Sequence, residues 1–402
     1  MPHRSWPEQS FNFAFFFFAY YGYVGVFSPY ASLFFADRGM SAAEIGVLMS
    51  LMQVARIFGP NLWGWVADHK QRRVWVLRLT AMAALLVFSG MFFGAGFAEF
   101  FVVMLALNFC TSAQGPLSEA LMLHEMKGDL THYGRLRLWG SIGFILTVSC
   151  AGKLLDWQGI GAMPWICLAL LALVALAALR MRESAHPPVQ RERIAIRLLL
   201  RRPEVLAFFT STFMMVAAHS ALYVFYSLYL AQIGYSKTVI GLMWSLGVVA
   251  EIVFFYYQAP IFRRFGVRTL MLFSLAVAVA RFLLIGFGAQ SLALLLIAQL
   301  MHAATFAVHH SSSVVAMQRW FAGPLQARGQ ALYISISYGL GGSFGGVVLS
   351  RFWSTADGSS DGSDVFIAAA GLALLGLLAA VLSFRWQAQP PATPALQGST
   401  AD

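Results

Sequence analysis

Glu251 and Arg281 lie deep inside apolar runs, Arg56 lies inside another, and Glu119 and Arg137 flank a short polar break. An ionised group at membrane depth is costly unless it pairs or lines a watery cavity, so each position is a candidate for ligand or proton chemistry. A carboxylate can exchange a proton, and the planar fork of an arginine fits a carboxylate ligand better than a lysine does. Two of these residues are related. Residues 32–58 align without a gap on residues 227–253, with about twelve of the 27 positions identical, among them Gly39/Gly234, Ser41/Ser236, Gly46/Gly241 and Ser50/Ser245. The alignment sets Arg56 against Glu251. Opposite charges at equivalent places of an internal repeat imply two halves facing one shared site.

Each candidate has a bland reading beside the functional one. Glu251 stands about fifteen residues into its run, where a change of water access or partner changes its proton occupancy; a static ion pair is the alternative. Arg281 and Arg56 either receive a substrate carboxylate or only neutralise Glu251 and cap carbonyls. Glu119 and Arg137 form a charge-assisted pair that a substrate or a proton disrupts, or a permanent brace. His302, His309 and His310 share one helix. His302 and His310 fall on one face at 3.6 residues per turn and could carry a proton, but a metal would want further ligands. Tyr23, on the first span, and Tyr226, on the seventh, belong to tyrosine rows that offer rings and hydroxyls to a planar ligand, or simply pack.

Composition supplies the setting that must position these groups. Hydrophobic residues make up 59% and charged residues 11%, which excludes an ordinary soluble domain. About 20 apolar residues cross a hydrocarbon core of about 30 Å, and such runs are expected at 11–36, 43–67, 74–97, 99–123, 134–155, 162–181, 204–231, 237–259, 268–288, 291–317, 327–351 and 364–385. The fold class is therefore all-α integral membrane, with twelve transmembrane helices in two pseudo-symmetric six-helix bundles. The bundles span 1–181 and 204–385, joined by a basic linker at 182–203 and followed by a disordered tail at 386–402. The first run lacks the features of a cleaved signal and reads as a retained helix.

The net charge of +10 has a cause other than nucleic acid. One set of loops holds 21 of the 27 Lys and Arg, including Lys70, Arg263, Arg264 and the 180–202 cluster, while the other holds Arg38, Lys153, Lys237 and Arg351. The positive-inside rule then places both termini in the cytoplasm of a multi-pass plasma-membrane protein, of the bacterial inner-membrane type. Cys110, Cys150 and Cys167 lack metal-ligand spacing and read as unpaired core residues. The partners called for are a small-molecule substrate, an organic anion above all, together with protons and the lipid bilayer. Neither cofactor, metal nor nucleic acid is called for, and a monomer suffices.

Between the second and third runs, Gly64, Asp68, Arg72 and Arg73 stand in a segment that resembles the cytoplasmic loop signature of the major facilitator superfamily. The resemblance implies a conformational latch, in which glycine allows close helix approach and the aspartate meets basic side chains or a helix N-terminus. The second-half segment 260–266 keeps Arg263 and Arg264 but has no such aspartate. The Gly115-Pro116 to Glu119 segment, with Tyr133-Gly134-Arg135-Leu136-Arg137, is similar to lactose permease, where a carboxylate after a proline pairs with the second arginine. Taken with 246–251, the wording looks most like the phenylpropionate permease branch. In that arrangement helices 5 and 8 face each other, which makes Arg137 a partner for Glu251 as well.

The resemblance implies alternating access and proton-coupled uptake of a small aromatic carboxylate. Arg56, Arg137 or Arg281 would meet the anion, and Glu251, with a histidine, would exchange the proton. Lactose permease carries Lys, His and Glu on helix 10, where this chain has three histidines, so proton handling does not transfer directly. Nucleoside or sugar symport and drug efflux are alternatives. A membrane-embedded enzyme would need a nucleophile and base or a metal cluster, and no HExxH, GxSxG or Cys/His array is present. A sensor on a transporter scaffold would carry a signalling domain, and none is evident.

Overall fold

The computed structural model describes residues 6–126, 130–183, 199–321, 325–353 and 362–387, which form helices and short turns and no strand. Eleven helical segments among them are long and apolar enough to cross a membrane. In chain order these begin with α1 Trp6–Asp37, α2 Ala42–Lys70, α3 Arg73–Phe92, α4 Phe97–Glu125, α5 Leu130–Gln158, α6 Met163–Arg180 and α7 Pro203–Gln232. The next, Lys237–Gly288, has 52 residues, about 78 Å of helix and more than two crossings of a core about 30 Å thick. Its path breaks at Gly266 (φ 69°, ψ 160°), so it supplies both α8 (237–265) and α9 (267–288). Three more follow: α10 Leu292–Met317, α11 Arg328–Phe352 and α12 Ser363–Gln387. Twelve crossings result. Most of the expected linker, 184–198, and of the expected tail, 388–402, lies outside the described residues.

The sequence repeat folds as a repeated turn. Gly39 and Gly234 take the left-handed φ values of 78° and 98° that side chains resist, and Ser41 and Ser236 cap α2 and α8 with the same φ of −67° and ψ of 157°. In α2 the box closes locally: Ser41 N–H donates to Glu44 at 2.8 Å, and Glu44 N–H donates to Ser41 Oγ at 3.3 Å. Val239 holds the matching position in α8. There the carboxylate arrives from another helix, as Asp156 at the end of α5 accepts from the N–H groups of Lys237 and Thr238 at 2.8 Å each.

Within the first half α1 packs on α5 and α6; within the second α12 packs on α7 and on the α8–α9 pair. The halves meet through α2 with α11, α5 with α8 and α1 with α7. Glycine lets backbones approach at these seams. A Cβ on Gly46 would lie 2.7 Å from the carbonyl of Gly346, and one on Gly241 would lie 2.6 Å from that of Val148. Ser149 and Ser245 pair across the second seam at 2.9 Å. Both tight contacts lie toward the sparsely charged loops. Further toward the basic loops, Gly64 and Gly134 would meet nothing within 4 Å, and Trp65 and Tyr256 are exposed. The bundles therefore pack closely at the sparsely charged end. Cys150, expected in the core, is instead exposed on the outer face of α5, because an apolar helix surface turned to lipid needs no burial inside protein.

Candidate functional site

Three helices around the centre carry wide π-helical turns: Ala221–Phe225 in α7, Ala303–Val308 in α10 and Ile334–Gly341 in α11. Such turns loosen the regular ladder and are frequent at functional sites. They carry Tyr223, Thr305 and Tyr338.

Glu251 in α8 is held by His302 of α10, with Nε2 2.8 Å from the carboxylate. On the other side of the imidazole, Arg281 Nη1 of α9 donates to Nδ1 at 2.9 Å. Guanidinium nitrogens only donate, so His302 Nδ1 accepts, its hydrogen resides on Nε2, and Glu251 receives that hydrogen. A second proton on His302 would set N–H against N–H. The tautomer is thus imposed by Arg281, and the group free to take a proton is the carboxylate.

Arg281 is fully buried. Its Nε donates to the Ala298 carbonyl at 2.8 Å, Nη1 also donates to Thr305 Oγ1 at 3.0 Å, and Nη2 donates to Gln299 Oε1 at 2.8 Å. Gln299 in turn donates to the Met243 carbonyl at 3.1 Å. Four donors are spent on α10, which orients Arg281 as a brace between α9 and α10 and away from an incoming anion in this conformation.

Arg56 differs. Half-buried in α2, it belongs to none of the ion pairs among the described residues, and its guanidinium stands 5.9 Å from the ring centre of Tyr338 in α11. Tyr223, Phe306 and Tyr338 line one small cavity; Arg56 borders it through the Tyr338 ring, and His302, which holds Glu251, borders it through Phe306. The repeat-equivalent Arg56 and Glu251 thus border one chamber. His310, which stacks through Phe306 onto His302, sits 3.0 Å from the Tyr338 hydroxyl.

Glu119 and Arg137 pair at 3.0 Å, each side chain about one-third exposed (34% and 33%). Arg137 also donates to the Tyr21 hydroxyl at 2.6 Å and lies over that ring. This corrects one expectation. Although α5 faces α8, Arg137 engages Glu119 and Tyr21 while Glu251 engages His302; the hydrogen bonds and glycine contacts described between α5 and α8 join 148–156 to 237–245, far from Arg137 along the helix.

Tyr23 is buried in an aromatic cluster with Phe27 and Phe88. Tyr226 is buried against Trp244 and Phe366. Ring packing surrounds both, and the Tyr226 hydroxyl is buried without a hydrogen-bond partner among the described residues. The signature residues Gly64, Asp68, Arg72 and Arg73 gather at the tight α2–α3 turn, where Gln71 takes a left-handed φ of 51° and Asp68 and Arg72 are exposed. Among the described residues no group of three His, Cys, Asp or Glu could hold a metal ion. Gln299, Thr305 and Asp156 were not singled out from sequence; the legible signal was a polar side chain within or at the end of an apolar helix.

Comparison with known proteins fits this geometry. The MFS_1 like family matches residues 10–360. The probable 3-phenylpropionic acid transporter of Escherichia coli (strain K12) is 30% identical over 329 residues, covering 80% of this chain and 86% of that protein. The maltose permease of Geobacillus stearothermophilus is 30% identical over 274 residues, covering 67% and 69%. The crystal structure of nucleoside transporter NupG superposes with a TM-score of 0.81 at 21% identity, covering 94% of this chain and 98% of that one, a likeness of fold.

Proposed function

The chain belongs to the MFS_1 like family of the major facilitator superfamily and is a multi-pass secondary transporter, and from that premise we propose that it imports a small aromatic carboxylate together with protons. Arg56 carries the reading. An arginine at membrane depth without an acidic partner calls for an anion, and this one stands over a tyrosine ring beside a second tyrosine. A carboxylate satisfies the guanidinium fork, and an aromatic body satisfies the rings. The likeness to a phenylpropionic acid transporter points the same way.

Glu251 is the proton carrier in this scheme. With it ionised, the chamber holds Arg56 and Arg281 against one negative charge; with it protonated, both cations are uncompensated and an anion binds more tightly. Substrate and proton therefore reinforce one another, as symport requires. Carrying an anion into a negative interior costs about 2.3 kcal/mol per 100 mV, and one proton per anion cancels that charge. Glu119 with Arg137, each about one-third exposed, lines the opening. The basic loops and both termini are on the cytoplasmic side of a bacterial inner membrane, so the closely packed end is the outer one and the conformation opens inward.

The test is accumulation of labelled phenylpropionate by proteoliposomes under an inward proton gradient. Uptake above the gradient-free control is expected; equal uptake removes proton coupling. A nucleoside substrate is the second reading, favoured by the fold likeness to NupG. Thermal stabilisation by nucleosides and not by aromatic acids would select it.

A further inference from the structure

A small cavity between α7, α10 and α11 is lined by His219, Tyr223, Thr305, Phe306, His309 and Tyr338. It adjoins the carboxylate site through Tyr338, whose ring carries Arg56. Neighbours dictate the hydrogen-bond polarity of its two imidazoles. Ser274 spends its hydroxyl hydrogen on the Met271 carbonyl at 2.8 Å, so it accepts from His309 Nδ1 at 3.1 Å. His309 Nε2 is then a bare acceptor, and this nitrogen, on a residue only 4% exposed, has no partner. His219 Nδ1 faces the Met215 carbonyl at 2.9 Å, which can only accept, so His219 Nε2 is likewise an acceptor, 3.3 Å from Thr305 Oγ1. A buried acceptor without a donor is uncommon and costly. The missing complement is an O–H or N–H.

We propose that this cavity is the distal subsite of the transported acid and takes a hydroxyl on its aromatic ring. The inference rests on the aromatic-carboxylate reading above. The cavity, about 10 Å³, has room for the hydroxyl and not for the ring; the carboxylate sits at Arg56, the ring lies against Tyr338 outside the cavity, and the hydroxyl reaches in to donate to His309 Nε2. The preferred cargo is a hydroxylated aromatic acid. A methoxy group at the same ring position is larger than that space and donates nothing, and loses the preference.

The experiment is titration calorimetry of the purified full chain with phenylpropionate, its meta-hydroxy and para-hydroxy derivatives, and the matching methoxy ethers. One hydroxy acid is expected to bind about five- to tenfold more tightly than the parent, and its ether no more tightly. In His309→Phe the ratio of the hydroxy-acid affinity to the parent affinity falls to about one, whatever happens to each affinity; in His309→Gln, whose amide oxygen still accepts, part of the gain returns. Hydroxy acids that bind no better than the parent, a gain shared by the ether, or a gain surviving in His309→Phe overturns the subsite and leaves the aromatic-acid reading standing. If none of these acids binds, both fall. Should His309→Phe fail to fold, the hydroxy-acid and ether comparison in the unaltered protein decides.

Discussion

Asp156 at the end of α5 accepts the backbone N–H of Thr238 at 2.8 Å and its hydroxyl at 2.6 Å, and so caps α8 from the opposite bundle. The first repeat closes the same turn with its own Glu44. Ser236 caps Val239 N–H locally, but taking the carboxylate from α5 makes the capping of Lys237 and Thr238 conditional on the two bundles meeting at this end. An N-cap contributes about 0.5–2 kcal/mol, here only to the state in which α5 and α8 touch.

Asp156→Ala should therefore shift the conformational equilibrium about two- to thirtyfold toward the state open at the sparsely charged end. Spin-label distances between the α1–α2 and α7–α8 loops measure this, and an unchanged distribution would show that the contact follows closure without favouring it.

Gly152 tests the same seam by size. A Cβ there would stand 2.5 Å from the Lys237 carbonyl and 2.7 Å from the Tyr30 hydroxyl, and Tyr30 itself donates to the carbonyls of Val148 and Lys237 at 3.0 Å each. Backbone oxygen cannot yield as a flexible side chain does. Gly152→Val should open the seam and slow transport severalfold while the protein remains folded; full transport would mean that α5 can step aside.

Much of this was legible because the repeat preserves backbone chemistry: Gly39/Gly234 and Ser41/Ser236 announce their turns, and Arg56 against Glu251 announces the chamber. Glu119 with Arg137 was legible from local motifs. The partner of Glu251 was not. Arg137 and His302 are both chemically able to pair with it, and only the point at which α5 diverges from α8 decides between them. Nor could spacing reveal that Arg281 turns its fork onto Ala298, Gln299 and Thr305, since the choice between substrate and neighbour depends on rotation about α9. The break at Gly266 came later than the expected end of the eighth helix because Pro260 is accommodated inside the helix.

Acidification should tighten anion binding. Protonating Glu251 removes the negative charge that offsets Arg56 and Arg281, so affinity for phenylpropionate rises as pH falls, over the range in which the acid itself stays ionised. In Glu251→Gln the affinity should stay flat over that range. Titration calorimetry at several pH values checks it, and an undiminished slope in the variant would assign the coupled proton elsewhere.

The two buried-helix arginines should fail in different ways. Removing Arg281 by Arg281→Ala strands the Ala298 carbonyl, Gln299, Thr305 and His302 Nδ1 in the interior. Leaving such neutral groups unsatisfied costs about 1–3 kcal/mol each, seen as a large fall in melting temperature, with loss of binding for charged and neutral ligands alike. Arg56→Ala orphans no carboxylate among the described residues, and its melting temperature should change little or rise, since an uncompensated charge is removed. Its binding defect should be selective. Phenylpropionate loses tenfold or more in affinity, about 1.4 kcal/mol, while phenylpropionamide, which has the same ring and no charge, loses little. Equal losses for acid and amide would return Arg56 to a structural role and take the anion site with it.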